Sequence, residues 1–350
     1  MTKLLLALGL LVLATVACGG TADPSESADG GPDTNTSAAS EGDSIGEETP
    51  TTAPPGVRDF MTLSFNTLIR VNPDDGTVTE LGEVDGNVLA ITSGGGSVWM
   101  AREDGSVVRM SPATGEVEAE IDTGVADLGA IIAYSEEGVW TVHGIIGSAN
   151  TVSMIDPASN VAHHTVTGEE GGYILDIAAG EGAGWGIGSN RELASILYRF
   201  DPLTGERQTH DVGVVASDVA TGGGYIWVVG SGFAEDNTPQ SGVGRLDPAS
   251  STTEFFPVGE EPENVLFAYD SVWVGDPLGG DGATLHRLDP SNGQPIASIP
   301  VGDRYAGVMG LYAGAGFLWA STDNGLFVIE PENNSIAGEG DPPSQALLFP

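Results

Sequence analysis

The chain has 350 residues, 52 of them glycine, and only 17% are charged, a balance that fits many short strands and tight turns rather than long helices. It carries 50 acidic residues against 11 basic ones, a formal net charge of −39, which excludes nucleic acid and anionic lipid as partners of the folded domain. Its one cysteine, Cys18, excludes an intramolecular disulfide.

Residues 1–17 read as a lipoprotein signal peptide. Lys3, the only lysine, makes a short positive start, and Leu4 to Val16 is an apolar run too short to span a membrane as a stable helix. The stretch Ala14-Thr15-Val16-Ala17-Cys18-Gly19-Gly20 resembles a bacterial lipobox, although Thr15 stands where Leu is usual. The resemblance implies lipidation of Cys18, secretion across the cytoplasmic membrane and anchoring in the lipid bilayer outside. Residues 18–57 are rich in Ser, Thr, Gly, Ala, Asp, Glu and Pro, with almost no large apolar side chain. Such a segment buries too little surface to offset its ordering entropy, so it is expected to be a disordered acidic tether. As a coil it would reach about 35 Å.

From residue 58 to 350 the sequence repeats. Its fullest phrase is Arg199-Phe200-Asp201-Pro202-Leu203-Thr204-Gly205, with variants around Pro73, Pro112, Pro157, Pro248, Pro290 and Pro331. The prolines are spaced 39, 45, 45, 46, 42 and 41 residues apart. A β-rich period of this length predicts a propeller. In the unit Asn87–Gly124 the four strands a to d are Val88–Ile91, Ser97–Ala101, Val107–Ser111 and Val117–Ile121. Pro and Gly suit the corners of the turn between c and d, and an Asp before the Pro can accept the turn's own N–H groups. All six tryptophans (Trp99, Trp140, Trp185, Trp227, Trp273 and Trp319) fall at one position of strand b, where the first unit has Phe60. They are expected to pack between neighbouring blades.

Arg70, Arg109, Arg199, Arg245 and Arg287 each lie three residues before a repeat proline. Asp201, Asp247 and Asp289 follow three of them at a spacing of two, which predicts three structural Arg–Asp pairs on one strand face. The first unit has no strand a ahead of it, whereas Gln345–Phe349 resembles the inner strands of other units. The expected fold is therefore an all-β, seven-bladed β-propeller with four antiparallel strands per blade, closed by the C-terminal strand joining blade one.

The Gly-x-Val-Trp-x and Arg-x-Asp-Pro-x-Thr-Gly phrases resemble those of secreted seven-bladed propellers of the YVTN and streptogramin-lyase-like superfamily, over residues 58–350. Lyase members imply a metal-assisted elimination with a catalytic histidine beside acidic metal ligands, a constellation with no counterpart in these motifs. Quinoprotein propellers follow the Thr-Gly with a tryptophan. Here that place holds Glu80, Ala119, Thr209 or Ala297, so no quinone is expected.

From the strand-b aromatic to the repeat proline the distances run 13, 17, 17, 21, 17 and 12 residues, so the insertions fall in the b–c loops of blades three to six. Those loops and the d–a connections share one mouth of the ring. The residues expected there are His143, Asn150, Arg191, Glu192, Asp236, Asn237, Asp276, Arg304 and Tyr305, with Glu169, Glu170, Glu260, Glu261, Glu263 and Asp303 on the connections. Glu235, Asp236, Asp276 and Asp281 are the candidate ligands if the mouth takes Ca2+ or Mg2+; no other cofactor is expected. His163, His164 and His210, in the outermost strands, are expected at the surface, and His286 packed beside Arg287. The resulting expectation is a monomeric cell-envelope lipoprotein. Its propeller binds a small molecule, a glycan or an envelope protein through that mouth. The alternative is a metal-assisted lyase or hydrolase at the same place.

Overall fold

A computed structural model describes residues 59–340 except 73–76, 128, 145–150, 167–172, 190–194, 234–237, 279–281 and 304–305. All described residues belong to one unit, Thr52–Pro350. They form strands and turns, with no helix among them.

Seven antiparallel sheets follow one another along the chain. Blade one has β1 (Phe60–Ser64), β2 (Thr67–Val71) and β3 (Val78–Glu83). Blade two has β4 (Val88–Gly94), β5 (Ser97–Arg102), β6 (Val107–Met110) and β7 (Val117–Ile121). Blade three has β8 (Gly129–Ser135), β9 (Gly138–His143), β10 (Thr151–Asp156) and β11 (Val161–Val166). Blade four has β12 (Tyr173–Gly180), β13 (Ala183–Ser189), β14 (Ser195–Phe200) and β15 (Arg207–His210). Blade five has β16 (Val215–Gly222), β17 (Tyr225–Phe233), β18 (Pro239–Asp247) and β19 (Thr252–Pro257). Blade six has β20 (Asn264–Ala268), β21 (Ser271–Asp276), β22 (Gly282–Leu288) and β23 (Pro295–Asp303). Blade seven has β24 (Val308–Gly314), β25 (Phe317–Thr322), β26 (Gly325–Glu330) and β27 (Ser335–Gly340).

Each sheet is a meander, so the first strand of a full blade is its inner edge. From β4 to β24 the inner strands of successive blades adjoin. Blade one shows three strands among the described residues, as expected for a unit without its own strand a. The C-terminal segment expected to complete it lies outside the described residues. Blade seven nevertheless packs against blade one: Phe60 and Val71 share a cluster with Phe317, Trp319, Leu326 and Val328. The Phe60 and Trp319 rings meet edge to face at 5.7 Å. Phe60 thus plays the part expected of it in place of a tryptophan.

The tryptophans do pack in the seams. Trp99, Trp185, Trp227, Trp273 and Trp319 are wholly buried, and Trp140 nearly so. Trp99 stacks on Tyr134 of the next blade at 6.4 Å, and Trp227 on Phe267 at 6.4 Å. Five indole N–H groups donate to the carbonyl five residues earlier, at the turn between strands a and b: Trp99 to Gly94, Trp185 to Gly180, Trp227 to Gly222, Trp273 to Ala268 and Trp319 to Gly314. The ring thereby buries its apolar face while its one donor stays satisfied. Gly94 is required for this packing, because a Cβ there would overlap the Tyr134 ring at 1.9 Å.

The arginines act differently from the expectation. Arg109 lies 4.9 Å from the centre of the Trp99 ring and donates at 2.8 Å to the Pro157 carbonyl, in the repeat turn of the next blade. Arg245 reaches the Pro290 carbonyl and Glu254 in the same way, over Trp227 at 5.9 Å. Arg287 reaches the Pro331 carbonyl and Asn334, over Trp273 at 5.0 Å. Of the three expected Arg–Asp pairs only Arg199–Asp201 forms, at 3.7 Å. The aspartates instead organise their own turns. Asp201 accepts the N–H groups of Leu203 and Thr204, Asp247 those of Ala249 and Ser250, and Asp289 that of Ser291. These bonds hold all three carboxyls below the ordinary range, with the N–H of Thr204 first for Asp201, that of Ala249 for Asp247 and the Ser291 hydroxyl for Asp289. The guanidinium is thus a latch between blades, and the aspartate a turn former within one.

Candidate functional site

The inner strands carry a constellation that no motif announced. Strands β4, β8, β12, β16 and β24 each have a bulge at the same place, between Val88/Ala90, Gly129/Ile131, Ile174/Asp176, Ala216/Asp218 and Val308/Gly310. Just after the bulge stand Ala90, Ile131 and Gly310 in three blades, but Asp176 and Asp218 in the adjacent blades four and five. Both aspartates are half-buried at the centre of the ring, and their side chains hydrogen-bond to each other. Asp218 accepts the N–H of Val219 at 2.7 Å and that of Val265, in blade six, at 2.8 Å. Asp176 accepts the N–H groups of Ile177 and of Val219, in blade five. Each carboxyl therefore ties its own bulge to the next blade.

Both carboxyls of the pair are raised. Loss of solvent, then the charge of Asp176 and its hydrogen bond, push Asp218 well above the ordinary carboxylate range. Loss of solvent also raises Asp176, opposed by the hydrogen bond from Asp218. The two carboxyls titrate as a coupled pair, Asp218 the more strongly raised. Tyr312, on the inner strand of blade seven, is pushed up to about 12 by burial and then by the Asp218 charge. With most carboxylate lone pairs taken by backbone N–H groups, the pair closes the ring's inner edge and leaves little acceptor capacity for a cation.

A second cluster lies at the mouth shared by the b–c loops and d–a connections. Asp276, at the end of β21, is 0% exposed and accepts N–H groups from Glu260 at 2.7 Å, Glu261 at 3.2 Å and Leu278 at 3.0 Å. His286 stands 3.6 Å from it and bonds Ser298 at 2.9 Å. Burial would raise Asp276, but His286 and the three N–H groups outweigh it and hold the carboxyl below its ordinary value. Asp276 thus sits inside the mouth, organising the connection rather than presenting itself on the rim. Glu260, Glu261 and Glu263 of that connection are exposed, as is Asp303. Crowding by protein atoms, then the charges of Glu261, Asp276 and Asp323, push Glu263 above its ordinary value. Asp323, between β25 and β26, accepts the Gly307 N–H at 3.0 Å.

Of the remaining expected site residues, His143 is 1% exposed at the end of β9, inside the wall of the mouth. Cys18, Asn150, Glu169, Glu170, Arg191, Glu192, Glu235, Asp236, Asn237, Asp281, Arg304 and Tyr305 lie outside the described residues. Among the described residues, no three His, Cys, Asp or Glu side chains are grouped to hold a metal ion. His163 is exposed as expected, and His286 is packed. His210 is half-buried against the Trp185 ring at 5.9 Å, and burial followed by the Arg199 charge lowers its pKa. It is therefore not the surface imidazole that an outer strand suggested.

Another opening lies at the seam between blades three and four. A cavity of about 370 Å3 is lined by Trp140, Met154 and His163 on one side, and by Asp201, Pro202 and Thr204 of the repeat turn on the other.

No family model matches the chain, and no curated protein matches it. Solved structures do. The computationally designed Ika8 protein aligns with 84% of this chain and 91% of its own, at 14% identity and a TM-score of 0.56. Dihydro-heme d1 dehydrogenase NirN, in complex with DHE, aligns with 85% of this chain and 66% of its own, at 13% identity and a TM-score of 0.56. BamB from Moraxella catarrhalis aligns with 80% of this chain and 84% of its own, at 13% identity and a TM-score of 0.50. A designed protein and a dehydrogenase alike share the fold, so the likeness is one of architecture.

Proposed function

We propose that this chain is a cell-envelope lipoprotein whose propeller is a binding module, working through the mouth formed by the b–c loops and d–a connections. The observation that carries the reading is the gathering of carboxylates there: Glu263 is raised by crowding first, then by the charges of Glu261, Asp276 and Asp323, from blades six and seven. Like charges held together in the free protein are relieved by a cationic partner. In the sequence the insertions of blades three to six fall in the b–c loops of the same mouth, and loops on a rigid scaffold are the usual home of recognition. The wider chain fits this role. Lipid on Cys18 would fix the protein to the bilayer, and residues 18–57 would hold the ring clear of it.

The test places a photo-crosslinking residue at Glu261 and, separately, at Leu203 on the opposite face of the full-length protein in its native cells. The reading expects adducts from position 261 that vanish when Glu260, Glu261 and Glu263 become glutamine. Adducts from both faces alike, or none at position 261, would overturn it. A melting point raised by Ca2+ or Mg2+ and restored by EDTA would support a metal-dependent mouth instead.

A further inference from the structure

The seam between blades three and four lacks its latch. Blade two supplies Arg109, blade five Arg245 and blade six Arg287, each three residues before its repeat proline. Each guanidinium lies over the strand-b tryptophan and donates to the proline carbonyl of the next blade's turn. The same position is Met154 in blade three and Val328 in blade seven, and Arg199 of blade four pairs with its own Asp201. The surroundings of Met154 depart from the pattern in step. Ser97 and Ser271 hydrogen-bond the Nε of Arg109 at 2.9 Å and of Arg287 at 2.8 Å, but blade three has Gly138 at that place. Arg245 lies opposite Glu254 in register, whereas Met154 lies opposite His163. Trp140 tilts onto Phe200 at 6.3 Å, and among the described residues its indole N–H finds no partner.

What is left is a half-built cation site. The cavity of about 370 Å3 has the Trp140 ring on one wall, and on the other the Pro202 turn that a latch would reach. Among the described residues no guanidinium reaches the Pro202 carbonyl. Asp201 supplies a carboxyl held below its ordinary range by its turn N–H groups, hence ionised at neutral pH. Met154 and Val152 give the floor apolar atoms that suit an alkyl stem. The net charge of −39 adds a field that concentrates cations.

We propose that this cavity binds a guanidinium group from outside the chain, beside the nearly covered Trp140 ring and donating to the Pro202 carbonyl as Arg109, Arg245 and Arg287 donate within their own seams. Guanidinium is favoured over ammonium because it is planar and offers several donors in one plane, matching the carbonyl and the carboxylate of the Pro202 turn. Two sources share this chemistry, a free alkylguanidine and an arginine side chain of a peptide. This site is at the face opposite the mouth and stands independently of the function proposed above.

The test titrates the full-length protein with agmatine, with the tripeptide amide Gly-Arg-Gly and with its lysine counterpart, following Trp fluorescence and calorimetry. Saturable binding of an arginine probe, at least about tenfold tighter than the lysine probe, is expected. Saturation by agmatine identifies the free alkylguanidine as sufficient; saturation by the tripeptide alone identifies an arginine side chain in peptide context. The Met154→Arg variant should abolish binding by occupying the cavity from within, and should melt no lower than the parent. Binding that survives Met154→Arg unchanged, an equal response to the lysine probe, or no saturation by either arginine probe would overturn the proposal. Trp140→Leu gives a second check: a variant that stays folded and still binds with parental affinity would also overturn it.

Discussion

The seam between blades six and seven and the seam between blades three and four are built from the same repeat, yet they are held differently. In the first, Arg287 lies over Trp273, and Ser271, Asn334 and the Pro331 carbonyl accept from its N–H groups. In the second, Met154 makes none of these bonds and a cavity of about 370 Å3 opens beside it. Met154 stands where blades two, five and six have the arginine, and Gly138 where blades two and six have the serine. A repeat fold tolerates this because each blade contacts only its neighbours, so this seam can be built differently from those that Arg109, Arg245 and Arg287 latch.

The sharpest way to break the comparison is to remove the ring that both seams rest on. Trp273→Ala deletes a wholly buried indole that donates to the Ala268 carbonyl and receives Arg287. It should cost about 3–5 kcal/mol, read from chemical denaturation. Trp140→Ala should cost less, because that indole has no hydrogen bond to lose and already borders open volume. Equal losses would mean that the open seam is packed as tightly as the rest.

A smaller change exchanges the latches. Arg287→Met should destabilise the protein by about 2 kcal/mol, since three acceptors lose a charged donor and the Pro331 carbonyl is left facing an apolar chain. Met154→Arg should act in the opposite sense and be worth about 1 kcal/mol at most, because Gly138 cannot offer the hydroxyl that Ser97 and Ser271 provide elsewhere. If Arg287→Met leaves the denaturation midpoint unmoved, the latch is ornamental, and the contrast between the seams carries no energy.

The blades were legible in the sequence because their signal is local: a proline turn, a glycine at positive φ, a tryptophan at a fixed place in strand b. Gly115, Gly205 and Gly293 stand at φ 70°, 68° and 67° in those turns, and Asn160, Ser251 and Asn334 take the same conformation where glycine is missing. The latch was misread for the opposite reason. Arg245 and Asp247 are neighbours along a strand face, and that nearness is visible in the sequence. The partner that wins, Pro290, is 45 residues away and becomes adjacent only when two blades dock. Asp176 and Asp218 were missed because each sits in an apolar inner strand with no surrounding motif. Aligning the units on the inner-strand bulge exposes them, since Ala90, Ile131 and Gly310 hold the same place. The acidic mouth was half legible. Its connection, Glu260 to Glu263, lies where the alternation of loops placed it, but Asp276 turned inward, because a carboxylate that can accept three backbone N–H groups gains more from order than from water.

The smallest expected effect concerns the inner edge, where the tie between blades is made by carboxyls instead of guanidinium. Asp218 is raised above its ordinary value in the folded protein, chiefly by loss of solvent and then by Asp176. The folded state therefore holds a proton that the unfolded chain releases at lower pH. The stability this confers is complete below the unfolded carboxylate pKa of about 4 and is lost as pH rises through the folded value. Asp218→Asn keeps a donor facing Asp176 permanently, as the protonated acid does, so its stability should not decline over that interval. The parent and the variant should agree most closely in mild acid and diverge towards alkaline pH, with the asparagine form the more stable there. Met154→Arg, placed on the third strand of blade three away from this pair, should leave the parent's pH slope intact. Denaturation midpoints for the three proteins across that range decide the matter. Identical slopes for the parent and Asp218→Asn would show that Asp218, at the centre of the ring, is not raised.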